Sequence, residues 1–405
     1  MPSAVATQTP LSARALVLLA AALAGHLLLW WISEPEVLFN DFFKAYYPVA
    51  EHLWADGIRE GWPSLEVGAG GFVNLPIVGW LFAPFAAFEE MTSGWVYLAV
   101  GLPCTLWAWH LLAHHFAGRH AVALLLLFLV NGPLINSLRE GNSTHLILLL
   151  LALGLVAWRA GRGFLAGVAF AACGIIKLPL LLLGPYFLVR RSWAIVAGMA
   201  ATGIVTGLLS LAVHGIEVNV GWYRDSVAPF LGGVIPAFNV QSIDGFLLRL
   251  STGASLLQDW VPFRPSLAHR IVRYALVLAL LGGAWWLMRR AAGAADTRRR
   301  DLVEFSLVLT IALVISPICW THYYLLMLLP AALQLGGLLL LEDDARWRTA
   351  FWIGYALSAL PVVMLPVSPD LMGEVVARTL VSLWLFGGLA ILACQARSLW
   401  RMGAR

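Results

Sequence analysis

The chain has 405 residues, of which 60% are hydrophobic and 12% charged, against about 25% charged in a soluble domain. This composition excludes a single water-soluble core. It points to lipid as the main solvent, because apolar stretches long enough for the roughly 30 Å hydrocarbon layer recur from end to end. The formal net charge of +4 does not call for nucleic acid, since the arginines gather in short loops, as in the cytoplasmic loops of multispanning proteins.

In chain order, about twelve spans are predicted: 14–32, 94–115, 121–137, 144–158, 162–177, 179–190, 193–213, 270–289, 303–318, 322–341, 348–366 and 375–395. The fold class expected is an all-α polytopic membrane protein, with 1–405 as a single transmembrane domain. Leu16 to Ile32 reads as the first span rather than a cleavable leader, because no small-residue cleavage site precedes Glu34. The spans at 144–158, 162–177 and 179–190 are short, and fit half-helices or a kinked pair around Lys177 and Pro179.

The segment from Phe72 to Phe88 is apolar but interrupted by Pro76, Gly79 and Pro84, and its placement decides the orientation of everything after it. If it crosses, Arg119, Arg159, Arg162, Arg190, Arg191, Arg289, Arg290, Arg298 to Arg300, Arg346, Arg348 and the C-terminal arginines all face outside, against the positive-inside rule. If it lies in the interface, all of them are cytoplasmic, as are both termini. The second topology is preferred, for an integral protein of a bacterial plasma membrane. It leaves two long outer segments, 33–93 and 214–269, and long loops in a tightly connected bundle commonly carry function.

Cys104, Cys173, Cys319 and Cys394 stand singly in apolar segments, with neither a disulfide framework nor a zinc spacing. His114, His115 and His120 sit at a cytoplasmic helix end with no second ligand set, so no metal site is expected. Glu342-Asp343-Asp344 reads as surface charge paired with Arg346 and Arg348. Gly68 to Gly71 is a loop and not a phosphate cradle, since no strand precedes it.

Five clusters meet the outer face in this topology: Asn40-Asp41 with Lys44, Tyr46 and Tyr47; Arg139-Glu140-Gly141-Asn142; Lys177; Gln241-Ser242 with Arg249; and Trp320-Thr321-His322-Tyr323. Asp41 lies among aromatic residues, which raises a carboxylate's pKa unless a cation or hydrogen bond compensates. It suits general-base work on a sugar hydroxyl, a role of about 10²–10⁴ in rate; the alternative reading is an interfacial Asp capping a short helix before Phe42. Lys177 is one of only two lysines, with Lys44. It can hold a lipid phosphate as a point charge or snorkel to the interface. Arg139 and Glu140 read either as a phosphate clamp or as a local ion pair, and His322 as a phosphate or sugar contact or as an interfacial histidine.

At these clusters the chain resembles glycosyltransferase family 87, the mannosyltransferase-like members of the GT-C superfamily of polyprenyl-phosphate-sugar-dependent enzymes. The resemblance rests on Asp41 to Ala50, Pro76 to Pro84, Gly141-Asn142, Ile176 to Pro179, Gln241-Ser242 with Arg249, and Ser316-Pro317 leading to Trp320 to Tyr323, in the family's order over residues 35 to 330. It implies a GT-C-type bundle with interfacial helices in the first outer loop and Asp41 as catalytic base. His322 would touch donor phosphate or sugar, with Lys177 and Arg139 in support and Asn142, Gln241, Tyr46, Tyr47 and Lys44 as further substrate contacts. The implied partners are membrane lipid, a polyprenyl-phosphate sugar donor, mannose favoured, and a lipid-linked or cell-envelope glycan acceptor, with no other cofactor. Asn74-Leu75-Pro76 stands where the family often has Tyr-Pro-Pro, and Gly141-Asn142 where it often has Gly-Gln. A transporter or lipid flippase is the competing class, and would spread its polar residues through the bilayer and over both faces.

Overall fold

The computed structural model describes residues 38–55, 71–341, 343–362 and 370–404; the expected first span at 14–32 lies outside them. Every extended element among the described residues is helical, and β structure is limited to isolated bridge residues, including the antiparallel pairs Val234 with Phe263 and Val240 with Trp320. A π-helical turn, Phe42–Tyr46, runs into α1, Tyr47–Ala55. The proline-bearing segment forms two short 3-10 turns, Pro76–Leu81 and Ala83–Ala87, as its prolines and Gly79 dictate. Neither has the length of a span.

The remaining helices are α2 Glu90–Leu112, α3 Ala121–Leu129, α4 Gly132–Arg139, α5 Thr144–Arg159, α6 Gly163–Ile176, α7 Leu183–Val189, α8 Trp193–Trp222, which is broken by a kink at Gly215 (φ +79°), α9 Ala228–Gly232, α10 Ile243–Thr252, α11 Leu267–Arg290, α12 Thr297–Val314, α13 Leu328–Leu335, α14 Ala345–Ser358, α15 Leu371–Arg378 and α16 Leu383–Met402. Among the described residues, four helical stretches suffice by length and composition to cross a membrane: Glu90–Leu129, Trp193–Gly232, Leu267–Gly293 and Leu371–Met402. A fifth is added if α4 and α5, bent by 119°, form one span.

The count of about twelve spans expected from hydropathy is therefore not confirmed among the described residues, because several apolar runs are divided. The run 121–137 breaks where the Asn131 side chain accepts from Leu134 N at 2.9 Å and Pro133 opens a new helix, a capping arrangement that hydropathy does not register. The run 322–341 begins as a 3-10 helix, Thr321–Met327, before α13. Of the acidic patch expected to pair with Arg346 and Arg348, Asp343 pairs with Arg401 at 3.3 Å, Asp344 caps α14 by accepting from Trp347 N, and Glu342 lies outside the described residues.

The core is organised around α12, whose residues from Leu302 to Val314 are all buried. It packs against α16, α11, α13 and the 3-10 turn Leu178–Leu182. The closest helix pairs meet through small residues: a Cβ on Gly387 of α16 would lie 2.5 Å from Gly354 O of α14, the close approach that helices packed in lipid favour. At the N-terminal end of α12, the fully buried Glu304 carboxylate faces Arg190 at 3.3 Å and Arg300 at 3.6 Å, and Asp301 pairs with both arginines. Arg299 binds the carbonyls of Gly337 and Leu338, and Arg401 that of Leu340. The C-terminal end of α12, about 27 Å away at 1.5 Å per residue, leads through Ser316 and Trp320 to His322.

Candidate active site

Two chain segments far apart in sequence are stitched together around Asp41. Phe39 N donates to Arg139 O at 2.7 Å and Phe42 N to Glu140 O at 3.0 Å, so the π-helical turn lies directly on the α4–α5 turn. That turn needs Gly141: its φ is +68°, and a Cβ would sit 2.5 Å from Phe42 Cβ. Phe39 itself adopts φ +60°, an uncommon conformation for a bulky residue that concentrates at functional sites. Its fully buried ring stacks edge-on against Trp95.

Asn142 is the hub. Its Nδ2 donates to Asp41 Oδ2 at 2.8 Å, while its Oδ1 accepts from Lys177 Nζ at 3.2 Å, Thr144 N at 3.0 Å and Thr144 Oγ1 at 2.7 Å. Lys177, at the end of α6, turns its buried amine inward instead of snorkelling. The ammonium also lies 4.8 Å from the centre of the Tyr323 ring, a cation–π contact. An ammonium has three N–H donors, and one of these is spent on Asn142. The lysine's end of the site is tied to the first outer segment by Asn74 Nδ2, which donates to Ile176 O at 2.7 Å.

Asp41 is half-buried. Desolvation is the largest influence on its carboxyl and raises its pKa, opposed by the Asn142 hydrogen bond and then by the charges of Lys177, Lys44 and Arg139. Asp41 makes no side-chain cap for the turn it precedes, so the capping alternative does not account for it.

The other expected residues fall into two groups. Tyr46 joins the site through a 3.1 Å hydrogen bond to Ser143 Oγ. His322 is buried beside Tyr323, their rings 5.0 Å apart, and its Nε2 has no hydrogen-bond partner among the described residues. Arg139 binds Glu140 and Asn136 at 2.7 and 2.8 Å, which is the local ion pair, beside the Asp41 turn. Lys44 is exposed.

Tyr47, Gln241 and Arg249 act as braces. Tyr47 donates to Phe88 O. The Gln241 amide donates to Phe238 O and Val381 O at 2.7 and 2.6 Å, and the fully buried Arg249 binds Ala237 O, Val240 O and Ser382 Oγ. These bonds hold the extended segment 234–241, which pairs through Val240 with Trp320 and so positions the His322 segment.

Residues the sequence reading passed over complete the hub. Thr144 makes two bonds to Asn142, and His145 bonds Ser137 Oγ through Nδ1 at 3.1 Å. Their only signal in the sequence was a polar Asn-Ser-Thr-His run opening an otherwise apolar helix.

A helical bundle with an acid and a cation fixed by one amide at the end of its central helix is the class of protein defined here, and comparison with known proteins narrows it. The sequence profile of glycosyltransferase family 87 matches residues 72–317, more than half of the chain. The chain belongs to that family. Arg139, Asn142, Lys177, Gln241 and Arg249 lie inside the matched stretch, His322 lies just past its end, and Asp41 precedes it by 31 residues.

Two similar proteins come from Mycolicibacterium smegmatis. One, the polyprenol-phosphate-mannose-dependent alpha-(1-2)-phosphatidylinositol mannoside mannosyltransferase, is 28% identical over 211 residues, covering 51% of this chain and 44% of the relative. The other, the polyprenol-phosphate-mannose-dependent alpha-(1-2)-phosphatidylinositol pentamannoside mannosyltransferase, is 31% identical over 227 residues, covering 56% and 51%. The chain thus spans about half the length of either relative. No solved structure matches significantly.

Proposed function

We propose that this protein is a membrane glycosyltransferase that moves a hexose, mannose favoured, from a polyprenyl-phosphate sugar to a lipid-linked or cell-envelope acceptor on the outer face of the membrane. The observation that carries the reading is the chain Asp41–Asn142–Lys177, which holds a carboxylate and an ammonium on the two ends of one amide. Family membership and the two mannosyltransferase relatives support the donor type.

In this reading Asp41 takes the proton of the acceptor hydroxyl as that oxygen attacks the anomeric carbon. The bond to the polyprenyl phosphate breaks, the phosphate leaves with the bonding electrons, and the configuration inverts. Lys177 retains N–H donors beyond the one on Asn142, and preorganised donors aimed at developing negative charge stabilise a transition state. His322 Nε2 is a further group for a phosphate oxygen or sugar hydroxyl. No metal is assigned a role.

The outward orientation is supported by α12. Arg190, Arg299, Arg300 and Arg401 gather at its N-terminal end and the Asp41 site at the other, so the positive-inside rule assigns the site to the outside. A transporter fits less well. Between those ends the polar groups contacting α12 include a neutral set, Gln395 with Ser306 and Thr310, rather than a relay of charges.

The test is an assay of membranes with radiolabelled polyprenyl-phosphate sugars, comparing wild type with Asp41→Asn. Transfer from the mannosyl donor that disappears in the variant is expected; normal transfer by Asp41→Asn would remove the assignment of the base.

A further inference from the structure

The long segment between α8 and α11 encloses a cavity of about 590 Å³ that the catalytic reading does not use; ligand pockets commonly measure about 300–1,000 Å³. Ala228, Pro229 and Gly233 form one wall, and Pro262, Arg264 and Arg270 another. The two walls are locked by the Val234–Phe263 bridge, with N–H···O distances of 2.9 and 2.7 Å. The only charged residues in the lining are the two arginines. Arg273, one turn further along α11, is already committed to Asp244 at 2.9 Å, whereas Arg264 and Arg270 form no ion pair among the described residues.

Around this cationic opening stand large apolar side chains that face outward, with Leu231 61%, Val261 69%, Leu267 65% and Ile271 60% exposed. The cavity lies where two stretches long enough to cross a membrane, Trp193–Gly232 and Leu267–Gly293, end and begin. Lipid headgroups are met at the ends of membrane-crossing helices. The same wall reaches the catalytic site from both sides. Ser226 and Trp222 donate to Phe72 O and Val73 O, with Phe72 edge-on to Tyr46, and the segment leaving Val234 pairs at Val240 with Trp320.

We propose that this cavity seats the phosphate of an anionic glycerophospholipid headgroup, held by Arg264 and Arg270, with the acyl chains against Leu231, Leu267 and Ile271. Guanidinium groups match phosphate through paired N–H donors, and the exposed apolar rim selects a lipid over a free anion. That the bound lipid is the acceptor rests on the function proposed above; that it binds does not.

The experiment uses the full chain in detergent and titrates it with dihexanoyl phosphatidylinositol, dihexanoyl phosphatidylcholine and inorganic phosphate. Binding is read by native mass spectrometry on the Asp41→Asn background, so that turnover is not needed for the result. Phosphatidylinositol is expected to bind more tightly than the other two, and Arg264→Gln/Arg270→Gln to weaken it about tenfold or more. Ala228→Trp, which fills the cavity without removing charge, should weaken it as well. Equal binding of phosphatidylinositol and phosphatidylcholine, inorganic phosphate binding as tightly as the lipid, or undiminished lipid binding by both variants would overturn the proposal. Transfer kinetics of the arginine variant in the Asp41 background then separate the two readings: a raised acceptor KM supports the acceptor role. Lipid binding without any glycosyl transfer in wild type leaves the site standing and removes the catalytic reading.

Discussion

Asn142 reaches Asp41 Oδ2 with its amide nitrogen at 2.8 Å and accepts Lys177 Nζ on its amide oxygen at 3.2 Å. An uncharged amide supplies a donor to the acid and an acceptor to the cation at once, so Asn142 positions both. Asn142→Ala should lower kcat by about 10–100-fold, as loss of a hydrogen bond to a charged group is worth about 1.5–3 kcal/mol. Asn142→Asp should be worse, because it replaces the donor to Asp41 with a like charge. Rates from a fixed donor concentration in purified protein check both; equal activity of the alanine variant and wild type would leave Asn142 without this role.

The pH dependence follows from Asp41. Burial holds its carboxyl above the ordinary range, and Asn142, Lys177, Lys44 and Arg139 oppose that shift in decreasing order. A general base acts only when deprotonated, so kcat/KM should fall as pH drops through this raised pKa. Lys177→Met removes one of the opposing charges and should move the acid limb to higher pH. Lys44→Ala removes a weaker, exposed one and should move it less. Asp41→Asn should abolish the limb with a loss of at least about 10²–10⁴ in rate. Profiles of kcat/KM for the four proteins give the order.

Gly141 carries a backbone requirement at the same place. Its φ of +68° is open to glycine and strained for other residues, and a Cβ would meet Phe42 at 2.5 Å. Gly141→Ala should therefore destabilise the fold by more than about 1 kcal/mol and separate the Asp41 turn from Asn142. A lowered thermal midpoint accompanied by loss of activity is expected. An unchanged midpoint would mean that the two segments are not locked as described.

Much of this site could be read in the sequence because charge is so scarce in the chain. Asp41 among aromatics, Lys177 at the end of an apolar run and His322 after Trp320 stood out for that reason, and all three lie at or next to the hub. Hydropathy was less informative about the helices, since a window average does not see Asn131 capping α4 or the 3-10 geometry of Thr321–Met327. It also could not divide polar residues into those that face the site and those that bind backbone. Gln241 looked like a substrate ligand and Arg249 stood in the same cluster, yet both give donors to carbonyls of the extended segment 234–241, which has almost no sheet to pair with. Which backbone groups lack partners is a property of the folded chain.

Arg249 gives that distinction a direct test. Its guanidinium is fully buried with no acid paired to it among the described residues, and its donors go to Ala237 O, Val240 O and Ser382 Oγ at 3.1, 2.8 and 2.9 Å. Removing it leaves buried carbonyls unpaired, at about 1–3 kcal/mol for each unsatisfied group. Arg249→Met should thus lower the thermal midpoint and the yield of folded protein, while the donor KM of the fraction that folds stays close to wild type. Lys177→Met should show the reverse, with a near-normal midpoint and a raised donor KM. Measured side by side, a raised donor KM in Arg249→Met at unchanged stability would place Arg249 among the substrate contacts and make the extended segment part of the binding surface.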